Sequence, residues 1–376
     1  MMEDALRTSA PVAEANAPAG QVSDDEDMPR TQFTRRRMLI FGLFVASAIA
    51  LLYFVLPQLA GLQDTWHRIH QGDPVWLVVA ALLEVLSFGG YIVLFRTVFV
   101  RGESKVDWRE SYQITMAGLA ATRLFAAAGA GGVALTAWAL RRSGMEARIV
   151  ACRMIAFMSL LYAVYLGALV VAGVGLRTGV FSGSSPFGFT VVPAIFGAVL
   201  FLVFLAMTLI PSDFERLVAR SSRGHRRPRL AKLLKRLATV PASVASGVRT
   251  AISLLRAREP GLLGAPAWWG FDIAVLWACF HAFGQPPPFA VIVMAYFVGM
   301  LANTLPLPGG IGGVDGGMIG TFVAFDVSGG LAVVAVLAYR AFSFWLPTIP
   351  GAIAYLQLRR TADRWRAERS QARAAA

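Results

Sequence analysis

The chain has 376 residues, of which 56% are hydrophobic and 15% are charged. Soluble proteins carry roughly 25% charged residues, so this chain lacks the polar surface that soluble domains of its length need. The composition excludes a soluble enzyme of two or three domains and predicts an all-α polytopic membrane protein.

The segment 1–29 differs in composition from the rest of the chain. It contains seven acidic side chains against one basic side chain, and we expect a disordered, acidic cytoplasmic tail because the segment has little to bury. An arginine cluster at 30–37 then precedes an apolar run at 38–60. This run is long enough to cross a hydrocarbon core of about 30 Å, and it lies too far from the start for a cleavable signal peptide.

Seven further apolar runs follow, at about 75–100, 111–140, 149–175, 190–210, 262–284, 289–327 and 331–358. If each crossed once, the arginine-rich segment 141–153 would lie outside, against the positive-inside tendency. Treating 111–140 and 289–327 as re-entrant hairpins leaves about six transmembrane helices and places both termini in the cytoplasm. From position 30 onward, Lys and Arg then number 29 on inside segments, and only Arg68 and Arg177 lie outside. We expect a multi-pass plasma-membrane protein, with a membrane domain at 30–360 and a basic cytoplasmic tail at 361–376.

Glycine and proline mark both predicted hairpins, because neither residue favours a continued helix. The residues expected to form the turning points are Gly129, Gly131 and Gly132 in the first hairpin, and Pro306, Pro308, Gly309, Gly310, Gly312 and Gly313 in the second. The segment 131–133 aligns with 312–314, and both have the sequence Gly-Gly-Val. Together with entry from opposite sides, this match predicts two oppositely oriented hairpins in an inverted repeat, with a site near the midplane.

The second half also resembles a known family. The run from Asn303 to Gly317, followed by Tyr339-Arg340 and by Trp-Leu-Pro-Thr-Ile-Pro-Gly at 345–351, is similar to the flippase-type transmembrane domain of lysylphosphatidylglycerol synthases. The resemblance covers roughly 38–360 and implies a lipid-translocating domain with re-entrant helices around a central cavity. Full-length synthases continue into a soluble aminoacyl-transferase domain, whereas this chain ends shortly after its last apolar run, so we expect a stand-alone member.

Charged residues within the apolar runs are the candidates for a substrate site. Each costs roughly 2.5–3.5 kcal/mol to insert, so it tends to face a cavity or a partner. Arginine suits phosphate because it forms two parallel hydrogen bonds and stays charged when desolvated. The expected substrate-binding residues are Arg340, Arg123, Asn303, Asp315, Glu84 and Asp272.

Structural roles remain open for most of these residues. Glu84 and Asp272 would stabilise the helix bundle by pairing with an intramembrane arginine. Asp315 would cap the start of a half-helix, and Asn303 would satisfy backbone groups freed by the nearby prolines.

The segment 211–260 carries twelve basic residues against three acids. Leucines recur within it at helical spacing, at Leu230, Leu233, Leu234 and Leu237. The pattern predicts an amphipathic cytoplasmic helix lying on anionic lipid headgroups. Nucleic-acid binding is not expected, because the segment is tethered between two membrane spans.

The leading functional hypothesis is translocation of a phospholipid or lipid-linked headgroup between leaflets, with anionic or phosphate-bearing membrane lipids as partners. Two alternatives stay open: a membrane glycosyltransferase dependent on polyprenyl phosphate, and a non-transporting partner subunit of a membrane lipid enzyme. No catalytic constellation and no Walker-type loop occurs in the sequence. Cys152 and Cys279 both lie in apolar runs, so we expect no disulfide, metal or other cofactor.

Overall fold

The computed structural model describes residues 72–101, 106–124, 130–207, 209, 244–304, 310 and 312–375. Within these ranges the chain is helical and contains no strand. The helices are α1 (Pro74–Phe99), α2 (Trp108–Leu124), α3 (Ala130–Arg142), α4 (Ala147–Arg177), α5 (Phe187–Met207), α6 (Gly264–Phe283), α7 (Phe289–Leu301), α8 (Gly313–Ala324), α9 (Gly329–Arg340) and α10 (Thr348–Ala375). Residues 244–256 are also helical.

Five helical segments of the described ranges are long and apolar enough to cross a membrane. They are Pro74–Phe99, Ala147–Arg177, Phe187–Met207, Pro260–Phe283 and Gly329–Gln371. The predicted class, an all-α polytopic membrane protein, is therefore confirmed. The acidic tail at 1–29, the predicted first span at 38–60 and the leucine-containing part of the basic loop lie outside the described residues.

Each of the two runs predicted to form hairpins consists of a pair of short helices. The pair α2 and α3 has 17 and 13 residues, and the pair α7 and α8 has 13 and 12 residues. Both pairs are antiparallel and meet at glycines. A Cβ atom on Gly132 would lie 2.5 Å from the Gly118 carbonyl oxygen, and one on Gly317 would lie 3.1 Å from the Gly299 Cα.

The predicted turning point of the first hairpin needs a correction. Gly131 and Gly132 lie inside α3 rather than at a break in the helix. The close contact of Gly132 with α2 is the physical reason for a small residue there, since a side chain would keep the two helices apart. In the second hairpin, Gly310 and Gly312 do adopt positive φ, of 67° and 81°. Gly313 begins α8, whereas Gly129, Pro306, Pro308 and Gly309 lie outside the described residues.

The helix order repeats along the chain. In the first half α2, α3 and α4 begin at positions 108, 130 and 147, and in the second half α7, α8 and α9 begin at positions 289, 313 and 329. The offset between corresponding helices is therefore nearly constant. Each hairpin follows one apolar span, α1 or α6, and precedes another, α4 or α9.

The equivalent spans α1 and α6 run in opposite directions along each other. The Asp73 N–H donates to the Ala282 carbonyl oxygen at 2.9 Å, near the start of α1 and the end of α6. At the opposite end of the pair, Arg101 forms an ion pair with Glu259. Antiparallel packing of equivalent helices is the arrangement that an inverted repeat requires.

Each hairpin has its own hydrophobic core. Buried residues of α7 and α8 pack with those of α4, α6 and α9, and Phe322 and Tyr339 are among them. Buried residues of α2 and α3 pack with α1, the first half of α4 and α10, and Ile114 and Leu358 belong to this second core. The two cores meet along the α1–α6 pair, which carries the buried side chains of Glu84 and Asp272.

Candidate functional site

Two carboxyl groups lie side by side in the α1–α6 pair, between the two halves of the molecule. Glu84 comes from α1 and Asp272 from α6, with exposed fractions of 1% and 6%. They are close enough to interact electrostatically with each other and with Arg123. The Glu84 Oε2 atom has no hydrogen-bond partner among the described residues.

Asp272 is held by two buried tyrosines. The hydroxyl of Tyr339 donates to Asp272 Oδ2 at 3.0 Å, and the hydroxyl of Tyr296 donates to the same oxygen. Two donors on one carboxylate oxygen compensate part of the desolvation that burial imposes on the charge. The bonds also join α6 to α7 and α9, so they fix the second hairpin against the central helix pair.

Arg123 reaches this cluster from the end of α2, in the first hairpin. Its guanidinium carbon lies 5.6 Å from the centre of the Phe88 ring, in a cation–π arrangement. Glu84 and Asp272 attract the guanidinium. One of its nitrogens, Nη1, is buried without a hydrogen-bond partner in the part of the chain that the structure describes.

Arg340 forms an ion pair with Asp315, with Nε and Oδ1 at 2.6 Å. The other carboxylate oxygen of Asp315 accepts the N–H of Gly312 at 2.8 Å, so it satisfies a donor that the first turn of α8 leaves open. Asp315 is therefore both a helix cap and an ion-pair partner. Arg340 ends α9 directly before a π-helical turn at Ala341–Trp345, a feature that is frequent at functional sites.

Arg123 and Arg340 also interact electrostatically, but less strongly than Arg123 interacts with Glu84 and Asp272. The three acids of the site are almost completely buried, with Asp315 at 1% exposure, whereas the Arg340 side chain keeps 13%. Of the Arg340–Asp315 ion pair, the guanidinium is therefore the more accessible partner. Arginine binds phosphate through two parallel hydrogen bonds and keeps its charge in a low-dielectric region.

Asn303 lies apart from this charged cluster. It is in the short 3-10 turn after α7 and is exposed, and its Nδ2 contacts Met300 Sδ at 3.0 Å. A Cβ atom on Gly310 would collide with the Asn303 side-chain oxygen. Asn303 thus packs on the turn of its own hairpin.

Sequence reasoning missed the two tyrosines. Tyr296 is the one polar side chain in the sequence of α7, Phe-Ala-Val-Ile-Val-Met-Ala-Tyr-Phe-Val-Gly-Met-Leu, and that isolation was the available signal. Tyr339 stands beside Arg340 in sequence. Its contact with Asp272 depends on which face of α9 meets α6, which spacing alone does not give.

No group of three metal-ligating side chains occurs among the described residues. Cys152 and Cys279 are free thiols, and Cys279 is buried. The site therefore consists of carboxylate, guanidinium and phenol groups.

Comparison with known proteins supports a family assignment. Residues 39–351 match the family described as the lysylphosphatidylglycerol synthase TM region. A UPF0104 membrane protein of Methanothermobacter thermautotrophicus is 33% identical over 109 residues, which are 29% of this chain and 31% of that relative. A second match in that organism, with the same name, is 24% identical over 344 residues, covering 83% of this chain and 93% of the relative. A UPF0104 membrane protein of Methanocaldococcus jannaschii is 34% identical over 95 residues, 25% of this chain and 28% of the relative.

Proposed function

The chain belongs to the family of the lysylphosphatidylglycerol synthase transmembrane region, and on this premise we propose that it moves a phospholipid or a lipid-linked headgroup between the leaflets of the plasma membrane. The phosphate of the lipid is the recognised group. Arg123 and Arg340 are its binding residues, and Glu84, Asp272 and Asp315 position them.

One observation carries the proposal: a buried charged cluster draws one arginine from each half of an inverted repeat, Arg123 and Arg340. Each guanidinium has carboxylate neighbours, and a phosphate replaces a carboxylate as its partner during transport. A phosphate that crosses a hydrocarbon core needs such a partner, since an unpaired charge there is strongly disfavoured.

The two antiparallel hairpins give the lipid a route across the membrane. In the proposed arrangement α2–α3 enters the membrane from the cytoplasm and α7–α8 from outside, with both chain termini cytoplasmic. Half-helices that face each other in this way leave the site reachable from either leaflet in turn, as in transporters built from inverted repeats.

The experiment uses the purified full chain in liposomes that contain headgroup-labelled phosphatidylglycerol, with leaflet accessibility of the label followed over time. The wild-type chain is expected to accelerate exchange. Arg123→Gln and Arg340→Gln are expected to reduce the rate at least tenfold, because each removes one charge-assisted contact worth roughly 1.5–3 kcal/mol. Arg340→Lys is expected to recover part of the rate, since ammonium replaces the charge but not the paired geometry.

Arg177→Gln is the matched control, because Arg177 is an exposed arginine at the end of α4, away from the site. Its exchange rate should equal that of the wild type. If a panel of anionic, zwitterionic and aminoacylated lipids shows no acceleration with wild-type protein, the transport proposal is wrong and a partner-subunit role replaces it.

A further inference from the structure

A second charged site lies far from the central cluster, where α1, α3, α4 and α10 meet. It is a cavity of about 310 Å³, lined by Arg101, Arg142, Ser143, Gly144, Met145, Ile149, Arg153, Trp365, Glu368 and Arg369. Four guanidinium groups and one carboxylate line the cavity. Glu259, outside the lining, neutralises Arg101, which leaves an excess of two positive charges.

The arginines of this cavity are held in place by contacts within the protein. Arg153 Nη1 donates to the Phe99 carbonyl oxygen at 2.7 Å, and Arg369 Nε donates to the Trp365 carbonyl oxygen at 3.2 Å. A guanidinium carries five N–H donors, and each of these bonds uses one. Each bond therefore orients its side chain.

Helix termini explain part of the charge but not the cavity. Phe99 and Arg142 end α1 and α3, and cations are favourable at helix C-termini. Arg369, however, lies inside the long helix α10 and not at its end. Arg369 faces the C-terminal ends of α1 and α3 across the cavity, so it closes the cavity and does not cap a helix.

In the turn at 143–145, the backbone N–H groups of Gly144 and Met145 are not available to a ligand. The N–H of Gly144 donates to the Arg141 carbonyl oxygen at 3.1 Å, and the N–H of Met145 donates to the Leu140 carbonyl oxygen at 3.2 Å. These two bonds close α3 in the pattern of a Schellman motif. Recognition in the cavity therefore falls to the arginine side chains and to Trp365.

We propose that this cavity binds a phosphate group, carried by the headgroup of an anionic phospholipid or by a soluble phosphate ester. Paired guanidinium donors match the oxygens of phosphate in geometry and charge. Basic pockets between membrane helices recognise phosphorylated lipid headgroups in the same way, and the tryptophan suits the interfacial region of a bilayer. The site is independent of the transport proposal, because none of its residues contributes to the central cluster.

The test measures binding to the full chain rather than transport. In the lipid arm, the protein is placed in nanodiscs that contain either phosphatidylcholine alone or a mixture with phosphatidylglycerol, and co-purifying lipid is counted by native mass spectrometry after detergent extraction. In the soluble arm, binding of glycerol phosphate to delipidated protein is measured by calorimetry. If phosphatidylglycerol is retained and glycerol phosphate does not bind, the ligand is the lipid headgroup. If glycerol phosphate binds, the ligand is a soluble phosphate ester.

Arg369→Gln and Arg142→Gln should each weaken binding about tenfold in whichever arm shows it, the factor expected when one charge-assisted contact is lost. Arg366→Gln is the matched control, because Arg366 is exposed on the same helix and does not line the cavity. Thermal unfolding of every variant separates lost binding from lost folding, and Arg369→Lys should bind better than Arg369→Gln. Equal binding by Arg369→Gln and Arg366→Gln, or no phosphate binding in either arm, would overturn the proposal.

Discussion

Ser87 of α1 and Trp268 of α6 touch each other: the Ser87 hydroxyl donates to the Trp268 carbonyl oxygen at 2.9 Å, across a sequence separation of 181 residues. The same separation relates the starts of α2 and α7. Antiparallel packing of equivalent helices places a two-fold pseudo-symmetry axis between them. The axis of the repeat therefore passes between α1 and α6, and their hydrogen bond at Ser87 lies one helical turn from Glu84 and Asp272.

The axis explains why the charges collect where they do. Both hairpins can contact the helices that lie on the axis, so α1 and α6 are the helices against which both halves pack. The repeats nevertheless differ in chemistry, because Asp315 corresponds to Ala134 at the same separation. The first half contributes Glu84 and Arg123, and the second contributes Asp272, Arg340 and the partner of Arg340, Asp315.

The first prediction concerns the side of the membrane on which each loop lies. With Cys152 and Cys279 replaced by alanine, a cysteine at Ser185 or Gln285 should react with an impermeant thiol reagent in intact cells. A cysteine at Ser143 or Ser370 should react only after permeabilisation. The structure groups these positions in the same way, since Gly183 lies near Pro288 and Val291, and Ser143 and Arg369 share one cavity.

Labelling of residue 143 from outside would contradict the cytoplasmic entry of the first hairpin. It would leave the inverted packing of α1 and α6 intact but reverse or break the proposed topology. Labelling at Ser221, which lies outside the described residues, reports on the basic loop independently and should require permeabilisation.

The second prediction tests the glycine contact within the second hairpin. A Cβ atom on Gly299 would lie 2.9 Å from the Met318 nitrogen and 3.1 Å from the Val314 carbonyl oxygen, so Gly299→Val must push α7 and α8 apart. We expect a loss of at least roughly 1–3 kcal/mol in the free energy of unfolding, the usual effect of overpacking. Thermal unfolding in detergent measures it.

Gly320→Ala in the same hairpin is the control, because a Cβ atom there meets nothing within 4 Å. Alanine favours a helix by about 1 kcal/mol over glycine, so this variant should unfold at the wild-type temperature or slightly above it. Equal stability of Gly299→Val and Gly320→Ala would mean that the two helices do not touch at Gly299.

The part of the fold that could be predicted is the part that depends on single segments of the sequence. Length of apolar runs and placement of arginine indicated the spans and both hairpin pairs, because these are properties of single segments. Gly131 and Gly132 were assigned wrongly to a turn, since the helix penalty of glycine, about 1 kcal/mol, is outweighed by close packing against Gly118. Local composition does not reveal that partner.

The structure brings five of the six predicted residues together, but the sequence did not give their pairing. In their structural roles Glu84 and Asp272 were expected to pair with an intramembrane arginine; the structure brings Arg123 to them and pairs Arg340 with Asp315. Pairing depends on the rotation of each helix about its axis and on which helices are neighbours. Both are properties of the tertiary structure. Because the first half has Ala134 where the second has Asp315, the repeat does not predict the Arg340–Asp315 pair.

The third prediction concerns the tyrosines that hold Asp272. Tyr339→Phe and Tyr296→Phe each remove one donor from a buried carboxylate oxygen without changing the packing of the ring. We expect each to lower the free energy of unfolding by roughly 1–3 kcal/mol. Tyr162→Phe, an exposed ring at 49%, is the control and should unfold like the wild type. A double variant that loses no more stability than either single one would show that the two hydroxyl groups act as one unit.

The last prediction separates a structural from a substrate role for Arg340. Asp315 is 1% exposed, so Arg340→Met leaves a buried carboxylate without its cation and should cost roughly 3–5 kcal/mol of stability. Adding Asp315→Asn removes the stranded charge while its side-chain oxygen still accepts the Gly312 N–H, so the double variant should regain most of the wild-type unfolding temperature. Lipid exchange in liposomes should stay at the level of Arg340→Met, because the phosphate still lacks its guanidinium. If the double variant instead recovers both stability and exchange, Arg340 serves only the ion pair, and Arg123 would have to bind the phosphate alone.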